Sequence, residues 1–163
     1  MKEVKALYAV LLTIVILAPA VSHGALIDLG PKATLYISDD VRFGLGVEAV
    51  INPLRHIGFR IDLTEIVFDP TTFYLNHSGS IDAFLYFPAR RMRFYVYSGL
   101  GLRIQDTAED THTQFVIRGG MGLEWPIRRR SSLFVEPGIS IADNGGTDVT
   151  FRLSAGARFG VIR

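Results

Sequence analysis

Apolar residues recur at every second position through most of the chain after residue 25, and this period is typical of β-strands whose two faces meet different surroundings. The segment 148–162 is the clearest case, with Phe151 and Leu153 on one face and Arg152 and Ser154 on the other. Eight such segments predict eight strands, at 26–37, 42–51, 57–66, 79–87, 94–104, 114–125, 133–142 and 148–162. Strands of about ten residues are long enough to cross a bilayer when they are tilted.

The links between these segments alternate in charge. Links one, three, five and seven have acidic residues in or beside them and no Lys or Arg, at Asp39, Asp40, Asp69, Asp106, Glu109, Asp110, Asp143 and Asp148. Links two, four and six have basic residues and no Asp or Glu, at Arg55, Arg90, Arg91, Arg93, Arg128, Arg129 and Arg130. Because an up-and-down antiparallel chain visits its two ends alternately, this sorting predicts a barrel with one acidic end and one basic end.

Two kinds of closed barrel fit this alternation, and they differ in which face is buried. A soluble lipocalin-like barrel encloses its apolar face, whereas a membrane barrel turns that face toward lipid. The polar face here consists of Gly, Ser, Thr and Tyr with isolated Arg and Glu, which is an unusual surface for strands exposed to water. Glycine pairs such as Gly99 and Gly101 leave room for larger side chains inside a narrow barrel. These features favour the lipid-facing arrangement.

Charged residues on the polar face predict an ionic network inside the barrel, since buried charges must be paired. We expect this network to contain Glu48, Arg60, Asp62, Asp82, Arg103, Arg118, Glu124, Glu136, Arg152 and Arg158. Lys32, Arg42 and Asp28 fall on the same face. The hairpins predict that Glu48 lies opposite Arg60 and Glu124 opposite Glu136, with Arg158 as the cation that neutralises the two glutamates.

Aromatic residues on the apolar face gather near the strand ends and predict two girdles at the membrane interfaces. These interface aromatics are Phe59, Phe87, Phe94, Trp125 and Phe159 near the basic end, and Phe43, Phe115 and Phe151 near the acidic end.

The first 24 residues have the form of a secretory signal peptide. Lys2 and Lys5 precede an apolar run at 6–21, and small residues follow up to Gly24. The run is short for a membrane-spanning helix, which needs roughly 20 apolar residues. We therefore expect residues 1–24 to be removed and residues 25–163 to form one exported domain, with an uncleaved membrane anchor as the alternative.

The composition of the chain excludes several classes of function. The 163 residues allow one domain, and 17 Lys and Arg against 16 Asp and Glu argue against a general nucleic-acid binder. The absence of cysteine from the sequence excludes disulfides, thiolate metal sites and a cysteine nucleophile. His56, His77 and His112 share no metal-ligand spacing. We expect no cofactor, no metal site and no catalytic residues.

The chain after residue 24 resembles the small outer-membrane β-barrel domains of Gram-negative bacteria, of the outer-membrane protein A, X and opacity type. The resemblance rests on FYVYSGLGL at 94–102, GLEW at 122–125, SLFVE at 132–136 and LSAGARF at 153–159. It implies a monomer in the outer membrane, inserted by the barrel-assembly machinery, with periplasmic termini and acidic loops outside. Members commonly end in an aromatic residue that this machinery reads, whereas the last aromatic here is Phe159.

An eight-stranded barrel encloses only enough space for side chains, so we do not expect a diffusion pore. The expected role is structural or interactive, with the lipid bilayer as one partner and a surface ligand or protein at the acidic loops as another. Two alternatives stay open. A lipid-modifying enzyme at the barrel rim would need converging Ser, His and Asp side chains. A secreted, soluble lipocalin-like barrel would have a dry cavity lined by Phe43, Val47, Leu100, Leu123 and Leu153.

Overall fold

The structure, a computed structural model, describes residues 26–68, 73–76, 80–89, 91–106, 111–143 and 147–162. The predicted signal peptide lies outside the described residues. The strands within these ranges are β1 (Ile27–Ile37), β2 (Val41–Ile51), β3 (Ile57–Phe68), β4 (Phe73–Asn76), β5 (Ser80–Pro88), β6 (Arg93–Asp106), β7 (Thr111–Arg128), β8 (Ser131–Asp143) and β9 (Thr147–Ile162). No helix in the ranges named above is long and apolar enough to span a membrane.

The strands form one closed antiparallel sheet. The first strand, β1, pairs with β2 on one side and with the last strand, β9, on the other, which closes the ring. Two segments share one place in the ring: β5 pairs with β3 at 57–62, and β4 pairs with β3 at 65–68. The predicted eight-stranded antiparallel barrel is therefore confirmed, with a fourth strand in two pieces. The sequence did not predict β4 because Phe73, Tyr74 and Leu75 do not alternate.

Apolar side chains cover the outside of the barrel, and charged side chains lie inside it. Phe151 and Leu153 are 42% and 40% exposed, whereas Arg152 between them is 3% exposed. The outer surface also includes the residues that a soluble barrel would have enclosed, among them Phe43, Val47, Leu100 and Leu153. The alternative of a lipocalin-like cavity is therefore wrong, because its lining faces away from the lumen.

Two hairpins pair in a register that differs from the predicted one. Glu48 lies opposite Asp62 instead of Arg60, and Glu124 lies opposite Phe134 instead of Glu136. The predicted pairs are wrong because the register follows the geometry of the turn and of bulges, which alternation alone does not specify. In the second hairpin, an irregularity between Pro126 and Arg128 accompanies the change.

A bulge in β3 changes which residues face the lumen. Val47 pairs with Thr64 and Glu48 pairs with Asp62, so Leu63 is an extra residue on β3. Leu63 is 56% exposed, and Glu65 is 3% exposed. A strict count from Asp62 would put Glu65 on the outer face, where a charge against lipid is destabilising. The bulge turns this carboxylate inward instead.

Candidate functional site in the barrel lumen

Arg60 on β3 is the centre of the lumen charges. Its Nε donates to Asp82 Oδ2 at 2.6 Å, and its Nη1 donates to Glu136 Oε2 at 2.5 Å and to Glu48 Oε2 at 3.1 Å. These carboxylates belong to β5, β8 and β2, so one guanidinium connects strands on several sides of the barrel. Arg60 is 1% exposed. Its ion pairs are therefore little screened by solvent.

Arg158 on β9 is a second junction. Its Nε donates to Glu48 Oε1 at 2.7 Å, and its Nη1 and Nη2 donate to Glu124 Oε2 at 3.0 Å and to Glu136 Oε1 at 2.8 Å. Glu48 and Glu136 each bridge Arg158 and Arg60. The guanidinium between Glu124 and Glu136 offsets the repulsion of the two carboxylates.

Arg118 on β7 continues these contacts along the barrel. Its Nε and Nη2 donate to the two carboxylate oxygens of Asp82 at 2.6 Å and 2.5 Å, and its Nη1 lies 2.6 Å from Asp62 Oδ2. Lys32 Nζ lies 2.7 Å from the other oxygen of Asp62. The hydroxyl of Ser80 donates to Asp62 at 3.0 Å. Two cations therefore share one buried carboxylate.

Arg93, the first residue of β6, carries the contacts to the basic end by pairing with Glu124. Ser132 donates to the same carboxylate at 2.6 Å. We call the connected set the lumen network; its members are Lys32, Arg60, Arg93, Arg118, Arg158, Glu48, Asp62, Asp82, Glu124 and Glu136. Its five cations and five carboxylates give a formal charge of zero, as a low-dielectric interior requires.

Aromatic rings pack against the guanidinium groups. The Arg60 Cζ atom lies 4.9 Å from the ring centres of both Phe84 and Tyr97, and the Arg158 Cζ atom lies 4.2 Å from that of Phe134. Contacts at this distance stabilise a cation, the more so away from water. The rings also occupy the volume that the charged groups leave.

Tyr95 joins the aromatic side chains to the lumen network. Its hydroxyl donates to Glu136 Oε1 at 2.5 Å, and its ring stacks on Phe84 with centres 5.0 Å apart. The ring lies over Gly122 on the neighbouring strand, and a Cβ atom at Gly122 would overlap it. This close approach is the physical reason for a glycine at that position.

Glu65 forms a smaller group nearer the acidic end. Its Oε2 accepts a hydrogen bond from the Tyr36 hydroxyl. The Arg152 Cζ atom lies 5.4 Å from the centre of the Tyr36 ring. Sequence reasoning missed both Glu65 and Arg93 as lumen residues. The signal for Glu65 was its outward position by strict alternation, because a bulge is one way to turn such a carboxylate inward.

The structure brings together eight of the residues predicted for the interior, namely Glu48, Arg60, Asp62, Asp82, Arg118, Glu124, Glu136 and Arg158. Arg152 is buried and packs on Tyr36. Arg103 belongs to β6, and its side chain lies outside the described part of the chain.

The predicted interface aromatics lie at the surface with one partial exception. The exposed ones are Phe43, Phe59, Phe87, Phe115, Trp125, Phe151 and Phe159. Phe94 is half-buried, and its ring centre lies 5.8 Å from that of Phe87. Among the described residues, no group of three or more His, Asp or Glu side chains is arranged to hold a metal ion. His56 Nδ1 lies 3.1 Å from the carbonyl oxygen of Tyr86.

The closed ring of eight antiparallel strands, apolar outside and charged inside, is the fold of the small outer-membrane β-barrels. Neisserial surface protein A is similar, with a TM-score of 0.61 at 16% identity over 83% of this chain and 96% of that one. The N-terminal β-barrel domain of Pseudomonas aeruginosa OprF has a TM-score of 0.53 at 15% identity over 81% and 97%. A de novo designed transmembrane β-barrel has a TM-score of 0.52 at 10% identity over 82% and 95%. No protein-family model and no curated protein matches the chain in sequence.

Proposed function

We propose that this chain is a bacterial outer-membrane β-barrel protein with a structural or surface-interaction role. One observation carries the proposal: the apolar side chains cover the outside of a closed sheet, and the charges are neutralised within it. Such a surface is unfavourable in water but suits hydrocarbon, in which every backbone donor and acceptor must be paired within the sheet. In this role the interface aromatics are two girdles at the lipid head groups.

The proposal includes export by a signal peptide at 1–24 and insertion of 25–163 by the barrel-assembly machinery as a monomer. Ile27 and Ile162 pair with each other, so both ends of the described barrel lie at the end that carries the arginine-rich turns, and we propose that this end faces the periplasm. The acidic end would then face outward and contact any surface ligand or protein.

The lumen network supports a role other than diffusion or catalysis. Arg60, Arg158 and the rings around them cross the lumen, and eight strands leave little space beyond side chains. We propose that the protein acts as a non-enzymatic barrel, without a cofactor, whose interior is a packed ionic core.

The test is fractionation of the full chain expressed in a Gram-negative host, followed by electrophoresis with and without boiling. We expect the protein in the outer-membrane fraction and a change in migration on boiling. Planar bilayers that contain the purified protein should show no steady conductance. Recovery as a soluble protein that needs no detergent would overturn the membrane assignment, and a steady ion current would overturn the packed interior alone.

A further inference from the structure

The basic end of the barrel has a group of exposed arginines in its turns. We call them the arginine rim; they are Arg55 in the β2–β3 turn, Arg91 in the β5–β6 turn, and Arg128, Arg129 and Arg130 in the β7–β8 hairpin. Within the part of the chain that the structure describes, none of the five forms an ion pair. The carboxylates nearest this end are engaged in the lumen: Asp28 with Asn52, and Glu124 with Arg93 and Arg158.

The arginine rim lies directly beside the lipid-facing surface. Trp125 and Ile127 on β7 are 37% and 58% exposed, and Arg128 follows them in the same strand. Met92, next to Arg91, is 38% exposed. Arg128 and Arg91 therefore adjoin exposed apolar side chains, an arrangement typical of residues at the lipid head groups.

The turns are too short to carry these arginines away from the membrane surface. Arg129 and Arg130 alone separate β7 from β8, and the Arg130 carbonyl accepts a hydrogen bond from Gly160 N at 2.8 Å. In the β5–β6 turn, the Ala89 amide donates a hydrogen bond to the Met92 carbonyl at 3.0 Å. Arg128, Arg129 and Arg130 therefore lie within three residues of Ile127, and Arg91 is next to Met92.

We propose that the arginine rim binds the phosphate groups of anionic phospholipids, in the leaflet at the end of the barrel where the chain termini lie. This inference rests on the proposed membrane function. Guanidinium groups pair with phosphate through two parallel hydrogen bonds, and an anionic leaflet attracts basic residues within a Debye length. Continuity with the apolar outer face favours lipid over a soluble acidic partner, because the exposed Trp125 and Ile127 place Arg128 at the edge of the lipid-facing surface.

Trp125 is the only tryptophan of the chain and lies three residues before Arg128, so it reports on the lipid beside the rim. The folded full chain is placed in vesicles of equimolar phosphatidylcholine and phosphatidylglycerol, with bromine on the acyl chains of one lipid or the other. Random mixing predicts equal quenching of Trp125 fluorescence by the two brominated lipids. We expect quenching by brominated phosphatidylglycerol to be stronger by about two-fold, and the excess to shrink as salt is raised.

Three variants separate charge from fold. R128Q/R129Q/R130Q should lose most of the excess quenching by brominated phosphatidylglycerol. R128K/R129K/R130K, which keeps the charge, should retain most of it. D39N/D40N changes exposed charges at the opposite end and should leave the excess unaltered.

The outcomes distinguish the two proposals. If neither brominated lipid quenches Trp125, the barrel is not in the bilayer and the proposed function fails. Equal quenching in the wild-type protein, which includes the case of an arginine rim made for a soluble acidic partner, overturns the lipid site and leaves the membrane function intact. An excess that survives in the glutamine variant also overturns it.

Discussion

Arg60 and Glu136 meet across the lumen, with Nη1 and Oε2 2.5 Å apart and a sequence separation of 76. Their strands, β3 and β8, lie on opposite sides of the ring, since four steps around the sheet separate them in either direction. The ion pair therefore connects opposite walls of the barrel through its interior. Glu136 also accepts hydrogen bonds from Arg158 and Tyr95, so a single side chain holds three others in place.

Removal of the charge of Glu136 should therefore be costly. We expect E136Q to lower the free energy of unfolding by about 3–5 kcal/mol, because Arg60 and Arg158 would each lose a buried carboxylate partner. Urea unfolding in lipid vesicles, followed by the fluorescence of Trp125, measures the change. D39N removes an exposed acidic charge and should alter stability by less than about 0.5 kcal/mol. Equal effects of the two substitutions would show that the pair contributes nothing.

The destabilisation caused by a charge on the lipid-facing surface should depend on its depth in the membrane. Leu100 lies near the middle of β6 and is 53% exposed, so L100R should destabilise the inserted barrel by about 2–4 kcal/mol. Val149 lies near the acidic end and is 54% exposed, and V149R should cost about 0–1 kcal/mol. Unfolding in vesicles compares the two. Equal tolerance of arginine at both sites would argue that Leu100 does not contact lipid.

Two glycines on β7 provide a matched test of the lumen packing. A Cβ atom at Gly122 would overlap the Tyr95 ring, whereas the nearest atom to a Cβ at Gly119 is the Tyr97 carbonyl oxygen, 3.4 Å away. G122A should thus destabilise the barrel by about 1–3 kcal/mol through overpacking, and G119A should be tolerated. The temperature at which the band shifts on electrophoresis is a convenient measure. A larger loss for G119A would contradict the assigned inner and outer faces.

Glu65 and Tyr36 should be energetically coupled. Y36F removes a hydrogen bond to a buried carboxylate, and E65Q removes the charge that strengthens it. A double-mutant cycle should give a coupling energy of about 0.5–3 kcal/mol. The pair Y86F and E65Q is the control, and we expect its coupling to be near zero, because Tyr86 lies with Glu124 and Arg93 at the basic end. A cycle without coupling for Tyr36 would mean that the inward position of Glu65 has another cause.

Alternation was sufficient to predict every strand except β4, because the two faces of each strand meet opposite media. The segment at 148–162, for instance, corresponds closely to β9, at Thr147–Ile162. The β4 segment escaped this reasoning because Phe73, Tyr74 and Leu75 are consecutive apolar residues and have no period of two.

Ion-pair partners were harder to predict than faces. Parity assigns a residue to the inner face, but partners depend on register and on side-chain reach across the lumen. Glu48 contacts Arg60 at 3.1 Å along a diagonal, since the residue directly opposite Glu48 is Asp62. The bulge at Leu63 is the reason that the inward position of Glu65 was not predicted. One extra residue in a strand exchanges the inner and outer faces for all the residues that follow it.

The link between Glu48 on β2 and Arg158 on β9 has a consequence for biogenesis, because 110 residues separate these partners. A hairpin or an open sheet that entered hydrocarbon before β9 arrived would lack Arg158, so the three carboxylates that contact it would each lose one of two cationic partners, at a cost in free energy. Deep insertion of a partial sheet is therefore strongly disfavoured. The contact between β2 and β9 therefore favours closure of the seam between β1 and β9 before the charged lumen residues leave water.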